Sequence, residues 1–135
     1  MIDKSALPPN PYAGDCPTRR VLDRVADKWT VLILGLLVRK PVRFNEMRRA
    51  IQGISQKMLA QTLRTLERDG LVNRKVIATV PVTVEYSITP LGRTLSTSVD
   101  ALRKWAEKHI GDVTAAQIRY DKTAPRVSVS RVPAQ

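Results

Sequence analysis

Residues 55–70 spell out both ends of a single helix. Ser55 is a preferred N-cap, because its hydroxyl accepts a hydrogen bond from an otherwise free helical N–H. Gly70 supplies the left-handed residue at which helices stop, and Leu71 is placed to meet Leu66 as in a Schellman ending. Between these caps Leu59, Leu63 and Leu66 recur at helical spacing and give one apolar face. At about 100° per residue, Lys57, Gln61, Arg64 and Arg68 fall together on the opposite face. Such a segment must dock on a core by one side and keep a cationic, amide-bearing side in solvent.

The flanking sequence fits a compact frame around this helix. Upstream, Lys40-Pro41 closes an earlier helix, Val42-Arg43-Phe44 is short and extended, and Asn45 is expected to cap a helix reaching Ile51. Gln52-Gly53-Ile54 is then a tight turn into Ser55, and two short helices joined by a glycine-containing turn are a helix-turn-helix signature. Downstream, residues 72–77 and 82–87 read as strands of a basic hairpin around the turn Ala78-Thr79-Val80-Pro81.

Further out, a first helix is expected to begin at Pro17 with Cys16 as its cap and Val21, Leu22, Val25 and Ala26 as its buried face. A second helix from about Asp27 holds Trp29 and a leucine-rich run, and is expected to be buried on nearly all sides. Thr89-Pro90 starts a long last helix to about Ile110, with Leu91, Leu95, Leu102, Ala106 and the flank of Trp105 as its apolar stripe. His109 lies on that stripe, where a structural role is expected. Residues 1–15, with Pro8, Pro9, Pro11 and Gly14, read as a flexible arm. Residues 16–110 form the folded domain. Residues 111–135 are a C-terminal extension that is without periodicity from residue 112, contains Pro125 and Pro133, and is expected to be mobile. The fold class is therefore mainly α with a small β-hairpin wing, a winged helix-turn-helix.

Charge points to the partner. The chain carries 23 Lys and Arg against 12 Asp and Glu, a formal net charge of +11. Between Arg39 and Lys75 ten cations stand against only Glu46, Glu67 and Asp69, which concentrates more than half of the excess on the central helices and hairpin. A focused basic surface suits nucleic acid or an anionic membrane. The apolar run from Val31 to Val38 falls well short of the ~20 residues that a spanning helix needs. The N-terminus lacks the layout of a signal peptide, so a cytoplasmic location without membrane contact is expected. One cysteine and one histidine leave no internal disulfide, no Cys-rich zinc site and no His ligand cluster; no metal or cofactor is expected. With no Ser-His-Asp set and no glycine-rich phosphate loop, enzymatic activity is not expected.

Double-stranded DNA is the expected partner. A recognition helix enters the major groove with its N-terminal half nearest the base edges. Gln56, Lys57, Gln61 and Arg64 are accordingly the candidates for base contact, since glutamine pairs with adenine and lysine or arginine with guanine. Ser55 and the free N–H groups beside it suit a phosphate. Arg43, Arg68, Arg74 and Lys75 would lie nearer the backbone, with Thr79 and Val80 at the wing tip. The rival from another class is a non-specific architectural protein, which the charge alone would also suit.

Several linked pieces in order resemble the HxlR-type family of winged-helix transcription regulators: Cys16-Pro17, Asp27-Lys28-Trp29-Thr30, Arg43-Phe44-Asn45-Glu46, Ile54-Ser55-Gln56-Lys57-Met58-Leu59, Leu66-Glu67 with Gly70-Leu71-Val72, and Val84-Glu85-Tyr86-Ser87-Ile88-Thr89. Pro41 departs from a common glycine, and Ile77 from a common aromatic residue. The resemblance implies a homodimeric regulator, read as a repressor, that dimerises through its first and last helices and uses residues 55–69 to read a pseudo-palindromic operator.

Cys16 sits at an expected helix N-terminus followed by Arg19 and Arg20, and both the helix dipole and nearby cations favour thiolate. In several family members the equivalent cysteine senses oxidants or electrophiles, so the resemblance implies a sensor at Cys16 and a small electrophile or thiol-reactive effector. The alternatives are a cysteine that is simply a small buried hydrophobe, and a regulator that senses a metabolite in a pocket between helices without thiol chemistry.

Overall fold

The computed structural model of the chain describes residues 9–14 and 16–124. Five helices and three strands follow in the order α1 (Pro17–Ala26), α2 (Lys28–Leu37), β1 (Val42–Arg43), α3 (Phe44–Ala50), α4 (Gln56–Arg68), β2 (Val72–Ile77), β3 (Thr83–Ile88) and α5 (Pro90–Thr123). The hairpin gains a third strand: β1 pairs antiparallel with β3, giving the order β1-β3-β2. The chain divides into two units, one up to Leu102 and one from Arg103 onward.

In the first unit the expected helix is capped at both ends by its own residues. Ser55 Oγ accepts from the Met58 N–H at 3.0 Å. At the other end Gly70, with φ +77°, lets its N–H reach the Glu67 carbonyl at 3.0 Å while the Leu71 N–H reaches Leu66 at 2.9 Å. These two bonds are the Schellman pair. Leu59, Leu63 and Leu66 are fully buried, and they meet Ile33, Leu34 and Leu37 of α2 together with Met47, Val72, Tyr86 and Val99. Gly53, with φ +87°, makes the turn between α3 and α4.

Thr89 fixes the start of α5 and ties it to the end of α4. Its hydroxyl oxygen accepts from the Gly92 N–H at 2.9 Å and donates to the Gly70 carbonyl at 2.6 Å, and its own N–H reaches the Leu71 carbonyl at 3.1 Å. Asp27 caps α2 by accepting from the Trp29 N–H at 2.8 Å, and Lys28 lies 4.6 Å above the Trp29 ring.

Five expectations are corrected. First, Arg43 rather than Asn45 occupies the cap of α3, and it makes no side-chain cap bond. The pairing of Val42 and Arg43 with β3 ends the extended segment one residue earlier and moves the cap two residues back. Second, α1 buries none of its residues: Val21 and Leu22 are exposed and Val25 is only half-buried. The core is already closed by α2, α4 and the sheet, so α1 packs against its outside. Third, α2 is buried on one side, at Thr30, Ile33, Leu34 and Leu37, whereas Leu32 and Gly35 face solvent. Fourth, β3 begins at Thr83 and runs to Ile88, one residue later than expected.

The fifth correction concerns the ends of the chain. Residues 111–123, expected to be mobile, continue α5 to Thr123. They contain no proline, and Ala115, Ala116, Gln117 and Arg119 are good helix formers, so local propensity extends the helix where the apolar stripe fades. Pro125 in the sequence disfavours helical backbone at the residue before it. The rest of the expected tail, 125–135, lies outside the described residues, as do residues 1–8 and 15 of the expected arm. Residues 10–14 form a hydrogen-bonded turn, with Ala13 N–H on the Asn10 carbonyl at 3.1 Å and Cys16 N–H on the Ala13 carbonyl at 3.2 Å.

The second unit is helical from Arg103 to Thr123 and buries none of its described residues. Arg103 pairs with Glu107 at 2.6 Å one turn on. The His109 ring stacks on Trp105 with centroids 4.8 Å apart, and its Nδ1 lies 3.0 Å from the Trp105 carbonyl, which accounts for this histidine structurally. Ile110, Ile118 and Tyr120 remain exposed.

Candidate nucleic-acid interface

Gln56, Lys57, Gln61, Arg64 and Arg68 of α4 are all exposed, and all but Gln56 lie on the face opposite its three buried leucines. From Lys57 to Arg64 the helix rises about 10 Å, so the first four of these lie within one groove's width of each other. Arg68 stands a further turn along, where it borders a groove shared with α1 and the start of α5. Ser55 is exposed and holds the Met58 N–H, which leaves the N–H groups of Gln56 and Lys57 without partners inside the helix.

The sheet sorts the remaining cations. Arg43, Glu85 and Lys75 lie in one cross-strand row, because Arg43 and Lys75 are both in register with Glu85. The next row holds Val42, Tyr86 and Arg74. Adjacent rows point to opposite faces of a sheet. Arg43 and Lys75 therefore share a face, while Arg74, although exposed, belongs to the face on which Val42 and Tyr86 are buried. The structure brings Arg43 next to the hairpin and separates Arg74 from its sequence neighbour. Thr79 is exposed in the loop joining β2 and β3, where its hydroxyl donates to the Pro81 carbonyl at 2.8 Å, and Val80 beside it is fully exposed.

Two residues near these cations escaped the sequence reading. Glu85 is half-buried between Arg43 and Lys75, and its only sequence signal was the alternation of Val84-Glu85-Tyr86-Ser87. Arg49 borders a shallow cleft of about 680 Å³ between α3 and β3, with Arg43 on the same cleft. Its signal was no more than one charge in the Arg48-Arg49 pair.

Cys16 is 9% exposed at the N-cap of α1. The Asn10 N–H donates to its sulfur at 3.2 Å, and this bond holds the thiol below its ordinary pKa, opposed by burial and helped by the side chain and backbone of Thr18 and the backbone of Arg19. The other end of the same helix is anchored to α4: Arg24 Nε donates to Asp69, the C-cap of α4, at 2.7 Å.

Among the described residues no helix is long and apolar enough to cross a membrane, and no cluster of His, Cys, Asp or Glu is arranged to hold a metal. A helix-turn-helix whose second helix presents an exposed cationic face, followed by a hairpin wing that β1 extends to three strands, defines a winged helix-turn-helix transcription regulator. Residues 24–114 match the HxlR-like helix-turn-helix family, and the chain belongs to that family. It is 47% identical over 108 residues to the HTH-type transcriptional regulator YtfH of Escherichia coli K12, covering 80% of this chain and 86% of that protein. Its fold is similar to that of the transcriptional regulator YtfH from Salmonella typhimurium, with a TM-score of 0.78 at 45% identity over 82% of this chain and 98% of the other. The reduced form of the redox regulator HypR is similar too, with a TM-score of 0.67 at 38% identity over 73% of this chain and 98% of the other.

Proposed function

We propose that the protein is a sequence-specific repressor that binds double-stranded DNA as a homodimer on a pseudo-palindromic operator. The observation that carries this reading is the outward face of α4, where Lys57, Gln61 and Arg64 stand exposed, with Gln56 exposed on its flank, on a helix anchored by three buried leucines. The first turn enters the major groove. Gln61 and Arg64 meet base edges, and the free N–H groups beside Ser55 meet a phosphate. Arg43 and Lys75 on the shared sheet face contact the flanking backbone, Arg68 and Arg74 lie beside it, and Thr79 follows the strand at the wing tip.

Dimerisation through the terminal helices is supported by apolar side chains left in solvent: Leu22 on α1, and Leu102 and Trp105 on α5. Two-fold symmetry then sets half-sites one helical turn, or a multiple of it, apart. Cys16 is proposed as a thiol switch at the base of α1. Its sulfur accepts an N–H bond that favours thiolate, and the similar regulator HypR is itself described as a redox regulator. A small electrophile or oxidant acting there would move α1, and with it the Arg24–Asp69 link to α4.

A gel-shift titration against random competitor DNA tests the reading. An operator selected from genomic fragments should win by about 10³-fold or more at physiological salt. Arg64→Ala should cost about 1–3 kcal/mol on that operator and relax its sequence preference. Equal affinity for operator and random DNA would instead make this a non-specific architectural protein.

A further inference from the structure

Beside the DNA-facing surface, and sharing Arg68 with it, a groove of about 620 Å³ lies between α1, the C-terminal end of α4 and the first turns of α5. Its walls are apolar: Pro17 and Val21 come from α1, Leu71 follows α4, and Leu91 and Leu95 come from α5. Val21 and Leu91 are each 56% exposed, so the apolar walls open to solvent. The volume falls within the range of small-molecule sites, which are typically apolar with a few fixed polar groups.

Beside the hydroxyls of Thr94 and Ser98, the charged groups here are three arginines and one carboxylate, namely Arg20, Arg24, Arg68 and Asp69. They are not equivalent. Arg24 is committed to Asp69 at 2.7 Å, which neutralises the only acid among the described residues that line the groove. Arg20 and Arg68 have no carboxylate within ion-pair distance among the described residues. The groove therefore combines an apolar bed with two uncommitted guanidinium groups at its edge. A guanidinium fork matches a carboxylate in a two-point contact, and an apolar body behind that carboxylate would cover the exposed leucines and valine.

We propose that this groove binds a small amphipathic carboxylate, an aromatic or medium-chain acid, with its carboxylate on Arg20 and Arg68 and its apolar body against Val21, Leu91 and Leu95. Such a ligand would contact at once the helix that Cys16 precedes, the end of α4 and the start of α5. The assignment does not rest on the DNA-binding reading, because it is read out on the free protein.

Isothermal titration of the full-length protein compares naphthoate with naphthalenemethanol, its neutral counterpart of nearly the same shape. Naphthoate is expected to bind saturably, one molecule per chain, and clearly more tightly than the alcohol. Arg20→Gln, at an exposed position that leaves folding intact, should weaken naphthoate by about tenfold or more while leaving the alcohol unchanged. Ser98→Trp, which places an indole in the groove, should abolish binding of both; thermal unfolding shows whether this variant is folded, and Arg20→Gln decides the matter if it is not. Equal affinity for acid and alcohol, or unchanged naphthoate affinity in Arg20→Gln, overturns the proposal. So does the lack of saturable binding at millimolar naphthoate, the result expected if a second copy of the chain fills the groove.

Discussion

Arg24 and Asp69, 45 residues apart in sequence, form a 2.7 Å charge-assisted hydrogen bond that joins α1 to the C-cap of α4. Both side chains are roughly one-third exposed, so solvent screens the pair without erasing it. A double-mutant cycle of Arg24→Ala and Asp69→Ala, followed by urea unfolding, should return a coupling of about 0.5–1.5 kcal/mol. Simple additivity would show that α1 is held by apolar contact alone.

Gly92 admits no side chain. A Cβ there would fall 2.1 Å from the Leu71 carbonyl oxygen and 2.7 Å from Ile88 Cγ1, and the first of these is backbone that cannot swing aside. Gly92→Ala must push α5 away from the end of α4 and strain the Thr89 bonds to Gly70 and Leu71. Destabilisation of about 2–4 kcal/mol is expected, read as a lowered midpoint in thermal or urea unfolding. Gly111→Ala, with nothing within 4 Å of the added carbon, is the matched control and should be neutral or stabilising.

The row Arg43–Glu85–Lys75 makes a paired prediction. Lys75→Ala should weaken all DNA sequences alike and lower the slope of log affinity against log salt by about one. Glu85→Gln removes the acid between the two cations, so affinity for random DNA should rise. If Glu85→Gln leaves random DNA binding unchanged, the face shared by these residues does not approach the phosphates.

Cys16 should titrate at lower pH in the folded chain than in the unfolded one, because the Asn10 N–H favours the thiolate. The midpoint of its alkylation rate with iodoacetamide should therefore fall below that measured in urea. The sign for stability follows from linkage. Between the folded and unfolded pKa values the unfolded chain binds more protons, so the thiolate's contribution grows as pH rises through that window and is lost as pH falls through the folded value. Cys16→Ser should flatten this part of the pH–stability profile. A midpoint unchanged by folding would remove thiolate activation from the switch.

The sequence was most legible where structure depends on neighbours in the chain. Ser55, Gly70 and Thr89 cap their helices through hydrogen bonds to residues only a few positions away, so these caps could be read directly. The faces of α4 followed from its period in the same way. Asn45 misled because it is a good cap residue in isolation, while the pairing of β1 with Tyr86 and Glu85 set the start of α3 at Phe44. Val21 and Leu22 misled because an apolar stripe declares that a face will be covered without saying by what.

By itself, then, the sequence determined the capped α4 helix, its exposed cationic face and the wing that follows, since helical period and cap chemistry are local. Only the tertiary structure decided that Arg43 joins Lys75 around Glu85, that Arg24 reaches Asp69, and that α1 lies outside the core and leaves an arginine-edged groove. Strand register and helix docking are set by contacts between residues far apart in the chain. No short-range pattern encodes such contacts, and the packing of one shared core selects them.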